Sequence, residues 1–143
     1  GTDASVFQFQ IRRYYIADSN ITSMPSLWRK INLRDADELV SGVESMQIEY
    51  GVDTTAGVVA GDPGDGSVNR YMNASDIVDK IAGTVTWIGW DRVTSVRVNV
   101  VLRSENIVHP SNVSVTLDGI NYNDRFLRQR VSFTTRIRNR GLN

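Results

Sequence analysis

The chain has no cysteine, one histidine, three prolines and two lysines among its 143 residues. Without cysteine there is no disulfide, no thiolate zinc site and no cysteine nucleophile. That absence is compatible with an oxidising compartment but does not demonstrate one. A single histidine rules out a His-x-x-x-His metal pair. His109 precedes Pro110 in a predicted loop, and no nucleophile-elbow pattern accompanies it. We read it as a loop residue rather than a general base or triad member, and expect no enzyme. No stretch reaches the ~20 apolar residues of a membrane-spanning helix. No signal-peptide pattern is present. The chain opens GTDASVFQFQ, without an initiator methionine and already close to a strand, so we expect a piece of a longer protein.

The formal net charge is zero, so bulk electrostatics name no partner. The distribution is uneven. Residues 1–91 carry 7 basic and 13 acidic side chains, a balance of −6, and residues 92–143 carry 9 and 3, a balance of +6. The two parts can attract each other within one fold. A nucleic-acid face would want surplus positive charge interleaved with aromatics, and neither is evident. The length suits one domain, residues 1–143, and the 41% hydrophobic content is adequate for a core.

Period-2 alternation dominates. Phe7, Phe9 and Ile11 alternate with Gln8, Gln10 and Arg12, and Arg13-Tyr14-Tyr15-Ile16 prolongs the run to Asp18-Ser19-Asn20. Leu27–Leu33 reads as a second strand after Pro25. Asp35–Val40 reads as a short helical turn ended by Gly42. Met46, Ile48, Tyr50 and Val52 alternate with Gln47, Glu49 and Gly51 in a third strand. Residues 53–74 are rich in Gly, Asp and Pro and read as loop. Ser75 is placed to cap a short helix with an apolar stripe of Ile77, Val78 and Ile81. Val96, Val98, Val100 and Leu102 mark the clearest strand, and Val113, Val115 and Leu117 mark another before a turn at Asp118-Gly119. Successive strands joined by short turns predict a mainly β or α+β domain: an antiparallel sheet with one or two short helices.

The last strand is the most pointed. Arg128, Arg130, Arg136, Arg138 and Arg140 occupy even positions, and Val131, Phe133 and Ile137 occupy odd ones. We expect the apolar residues to point inward. The arginine stems would then lie across neighbouring strands on the wet face and pair with carboxylates, Glu44 and Glu49 among them.

The stretch GDPGDGSVN offers Asp62, Asp65 and Asn69 as hard oxygen donors, with Gly66 to allow a tight turn. These are calcium candidates. The match to an EF-hand loop is partial: its first and third positions fall on Gly61 and Pro63, and Met72 stands where the closing glutamate belongs. No Lys-Ser or Lys-Thr follows, so it is not a phosphate loop. Sequons begin at Asn20, Asn73 and Asn112 and matter only in a eukaryotic secretory context. Trp87 and Trp90 read as one core and one half-exposed loop residue, with an aromatic binding surface as the alternative.

Several stretches, in order from near residue 9 to the end, resemble the C-terminal domain of the PilW family of type IV pilus minor pilins. They are Arg12–Ala17, Leu27-Trp28-Arg29, Glu38–Gly51, Asp65–Tyr71, Val96–Ser104 and Arg136–Arg140. The LWR, EL…MQ.EYG and SVRV elements are more loosely similar to J-type pseudopilins of type II secretion. The resemblance implies a structural subunit, without catalytic residues, that primes pilus assembly and sits at the tip. Its partners would be other minor pilins and the major pilin. It also implies a prepilin leader and a long anchoring helix upstream. The chain would then be the soluble head of a protein of the inner membrane and periplasm, later displayed on the surface. The missing helix and an insert around Gly57–Gly64 depart from the family pattern. Within that reading Arg136, Arg138 and Arg140 become candidates for an interface with an acidic partner. The remaining alternative is an adhesive module that binds calcium or carbohydrate through the Asp/Gly loop and the tryptophans.

Overall fold

Most of the alternating patterns become strands; Phe9 and Ile11 of the first run lie ahead of β1, and Phe7 lies outside the described residues. A computed structural model describes residues 9–55, 65–77 and 89–137, and most of these lie in antiparallel β structure. The chain divides into two compact units, residues 1–45 with 101–129 and residues 46–100 with 130–143.

In the first unit β1 (Arg12–Asp18), β2 (Pro25–Ile31) and β3 (Ala36–Ser41) form an antiparallel sheet in the order β1-β2-β3. Pro25 opens β2, where its missing N–H does least harm to the ladder. The β1–β2 turn is organised by Ser19, whose hydroxyl accepts from the Ile21 and Thr22 amides and donates to Glu38 Oε2 at 2.9 Å. Trp28 is buried and its indole N–H donates to Ala17 O. The helical turn expected over Asp35–Val40 is instead β3. The local acidic signal is weak, and pairing with β2 overrides it, setting Leu27 against Val40 and Arg29 against Asp37. Gly42 ends a strand rather than a helix. Its φ of +79° suits glycine, and a Cβ there would lie 2.7 Å from Arg103 O.

The same unit holds the hairpin of β7 (Val113–Leu117) and β8 (Ile120–Asp124). Asp118 and Gly119 both have positive φ, 50° and 79°, the backbone of a two-residue turn whose twist matches the strands. The turn was legible; β8 was not, because its asparagines dilute the apolar signal.

β4 (Val43–Val52), β5 (Arg70–Met72), β6 (Val93–Ile107) and β9 (Phe126–Arg136) form a sheet in the order β5-β4-β6-β9. In the second unit Val52, Met72, Ile77 and Val93 make the core, with Tyr50 and Ile137 packed against it. β5 is three residues inside the segment expected to be loop, held by pairing Gly51 with Tyr71. The helix expected from Ser75 is a single 3-10 turn, Ala74–Asp76, with Asn73 and not Ser75 at its N-cap and Ile77 already extended. Val78 and Ile81, the rest of that expected stripe, lie outside the described residues.

Candidate functional site

The final strand β9 alternates as expected, but it does not bury the apolar face that the alternation predicts. Val131 and Phe133, expected inside, are 38% and 53% exposed. The even side is covered only at Phe126 and Arg128; Arg130, Ser132, Thr134 and Arg136 are exposed as well. Alternation identifies two faces; it does not say which one packs. Ile137, just past the strand, does pack inward as expected.

In the first unit Arg128 is the covered residue, with its side chain 3% exposed. Nε and Nη2 donate to the Glu44 carboxylate at 2.6 and 3.0 Å. Nη1 and Nη2 donate to the Asp124 carboxylate at 2.6 and 2.7 Å. The guanidinium lies 4.3 Å over the Tyr122 ring. Arg103 approaches Glu44 at 3.3 Å and stacks on Phe126. Glu44 is therefore a partner of the terminal-strand arginines, as alternation suggested. Arg128 and the Phe126 amide hold the Asp124 carboxyl down to about 2. The same carboxylates push Arg128 upward, with Asp124 contributing most. Burial of this kind requires paired charges, and two bidentate forks supply the pairing.

In the second unit the even face of β9 continues onto uncharged groups. Ser132 Oγ donates to Asn99 Oδ1 at 2.7 Å, and Asn99 Nδ2 donates to Glu49 Oε2 at 2.8 Å. Glu49 pairs with Arg97 at 3.8 Å. Arg97 lies 3.3 Å from the centre of the Tyr71 ring. The Ser95 hydroxyl, followed by Thr134 and Arg97, lowers the Tyr71 phenol below its ordinary value, against the opposing effect of burial.

Of the three interface candidates, Arg136 is exposed, and its Nη2 reaches Gly66 O at 3.4 Å. Arg138 and Arg140 lie outside the described residues, as does Asp62 of the calcium candidates. Gly66 has the expected positive φ, +75°. Asp65 Oδ1 accepts from the Ser67 amide and Asn69 Oδ1 from the Thr54 amide, both at 2.8 Å. These oxygens thus shape their own loop. The residue that organises it is Asp53, which sequence reading passed over. Asp53 is fully buried and accepts from the Thr55 amide at 2.9 Å, the Thr55 hydroxyl and the Gly66 amide at 2.8 Å. Burial opposes its charge, but these bonds and the nearby Arg92 outweigh it and lower the carboxyl. Asp53 is followed by Thr54 and Thr55, and the Asp-x-Thr spacing was the available signal. Among the described residues no cluster of three or more His, Asp or Glu is arranged to hold a metal.

His109 sits between β6 and β7 with its backbone tied to Arg125: the His109 amide donates to Arg125 O and Arg125 Nε to His109 O. Trp90 is 38% exposed and meets Tyr50 edge-on at 4.9 Å. Trp87 lies outside the described residues.

The geometry defines a mainly β module whose last strand leaves an apolar row in solvent. The family model described as Type IV Pilus-assembly protein W matches residues 13–139. The chain belongs to that family, and hence to the assembly of type IV pili at the cell envelope. Searches of curated proteins and of solved structures found no match.

Proposed function

We propose that this chain is the head of a minor pilin that primes assembly of a type IV pilus and caps its tip. Residues 1–143 would form the soluble head of a longer protein anchored in the inner membrane, working in the periplasm before display on the cell surface. Its partners would be other minor pilins and the major pilin. The family membership supports this reading, and the observation that carries it further is the exposed row on β9. In the sheet order β9 is an outermost strand. Val131 and Phe133 stand on it with their side chains in solvent, and burying a phenylalanine is worth roughly 1.5–3 kcal/mol. A subunit that must meet a neighbour gains from such a row. Arg136, Arg138 and Arg140 would steer an acidic partner onto it. The arginines also discourage indiscriminate edge pairing.

The test is capture of the soluble heads of companion minor pilins from the same source. Val131→Thr with Phe133→Ser should abolish capture while shifting stability by less than about 0.5 kcal/mol, since both positions are exposed. Arg136→Gln, Arg138→Gln and Arg140→Gln together should slow association more than dissociation. A fall in melting temperature with capture intact would refute the interface. Capture only by pseudopilin heads of a type II secretion system would move the chain to that related machinery.

A further inference from the structure

The second unit holds a polar cavity of about 670 Å³, a volume typical of a small-molecule site. Gly51 of β4 packs against two of its lining residues: a Cβ at Gly51 would collide with the Ser95 hydroxyl and press on both Val68 methyl groups at 3.0 Å. The walls are hydroxyls: Ser67 from the Asp65–Asn69 loop, Thr94 and Ser95 from β6, Thr134 from β9 and the Tyr71 phenol from β5. Thr94 and Ser95 are 3% and 4% exposed, so these are not incidental surface groups. Thr94 Oγ1 is buried without a hydrogen-bond partner. A buried hydroxyl in that condition awaits a group that can satisfy it. At the rim Arg136 makes one long bond, to Gly66 O at 3.4 Å, which an incoming carboxylate would outcompete.

The lining selects its ligand by chemistry. Hydroxyls donate and accept equally, so they suit a ligand whose own groups do both. A metal cation is disfavoured, because Asp65 is the one carboxylate in the lining and its Oδ1 already holds the Ser67 amide. A dianionic phosphate is disfavoured by the same carboxylate. A guanidinium at the rim favours a single carboxylate. We propose that this cavity binds a uronic acid, a sugar bearing a carboxylate, with Arg136 on the carboxylate and the Thr94 and Thr134 hydroxyls on the ring hydroxyls. The site lies on the face of β9 opposite Val131 and Phe133, and of the residues named for the subunit contact above it uses Arg136 alone.

The experiment is amide chemical-shift mapping on the 143-residue chain. Glucuronate, galacturonate and cellobiouronate are titrated beside glucose, galactose, cellobiose and inorganic phosphate. At least one uronate should shift the amides of Gly66, Ser67, Thr94, Ser95 and Thr134 together, saturating in the millimolar range. Its neutral counterpart should bind about tenfold more weakly or worse. Arg136→Gln should reduce the uronate to the affinity of the neutral sugar. Thr94→Val, nearly isosteric, should weaken uronate and neutral sugar alike by about tenfold, with the remaining spectrum unchanged to report the fold. Neither of these substitutions involves Val131 or Phe133, and Thr94→Val should leave companion-pilin capture intact. No shift at these amides with any uronate would overturn the proposal. So would equal binding of acidic and neutral sugars, a preference for phosphate, or wild-type binding by Thr94→Val.

Discussion

Replacing Arg128 with methionine tests the ion cluster of the first unit. The change keeps an aliphatic stem and deletes the guanidinium. Four hydrogen bonds go with it, two to Glu44 and two to Asp124, together with the stacking on Tyr122. The two carboxylates fare differently. The Asp124 side chain is 38% exposed and returns to water, so it adds nothing to the expected loss. Glu44 is 9% exposed and, among the described residues, keeps the more distant Arg103 as a salt-bridge partner. Breaking a buried pair from one side costs roughly 3–5 kcal/mol. Because Arg103 stays, we expect the lower end, about 3 kcal/mol, or roughly 10 °C in melting temperature for a domain of this size. The assay is urea denaturation in a double-mutant cycle with Glu44→Leu. The double variant should be more stable than the sum of the single losses implies, by at least about 1 kcal/mol, because it leaves no carboxylate stranded. Arg130→Met, at an exposed position on the same strand, should change stability by less than about 0.5 kcal/mol. A loss below about 1 kcal/mol for Arg128→Met, or strict additivity in the cycle, would refute the reasoning.

Three further outcomes are expected. Gly42→Ala forces a side chain into positive φ and against the Arg103 carbonyl, and should lower stability by roughly 1–3 kcal/mol by chemical denaturation. Asp124 has a folded pKa of about 2 against an ordinary 3.8, so the unfolded chain binds more protons between those values. Its stabilisation is complete above about pH 4 and is lost as pH falls through about 2; Asp124→Asn should flatten that part of the acid-unfolding profile. Absorbance titration should show one tyrosine ionising ahead of the others, and Tyr71→Phe should remove that step; its persistence would place the perturbed phenol elsewhere. Because the folded state favours the phenolate, this group adds stability as pH rises through the folded pKa.

Alternation in the sequence was enough for much of the strand inventory. β4, β6, β7 and β9 fall on runs of period 2, β1 and β2 on apolar runs bounded by turn residues, and the Asp118-Gly119 turn has a backbone that suits two right-twisted strands joined through two residues. Family membership was also legible, because it rests on ordered short motifs along nearly the whole chain. The misses have a common origin. β3 was mistaken for a helical turn, while β5 and β8 were passed over, because short or polar strands carry little local signal and exist through pairing with a neighbour. Ion pairing was partly legible: Glu44 does hold Arg128, while the Arg97 and Asn99 contacts of Glu49 carried no signal in the sequence.

By itself the sequence determined that β9 would have an apolar side and an arginine side, since residue spacing along a strand is covalent and side chains must alternate. Only the tertiary structure decided that most of both sides stays exposed and that Arg128 is covered. Arg128 is buried because Glu44 and Asp124 offer the carboxylates that its guanidinium needs. The same holds for the cavity. Tyr71, Thr94 and Arg136 are unremarkable in sequence and distant along the chain. They line one cavity because a four-stranded sheet brings three separate strands together.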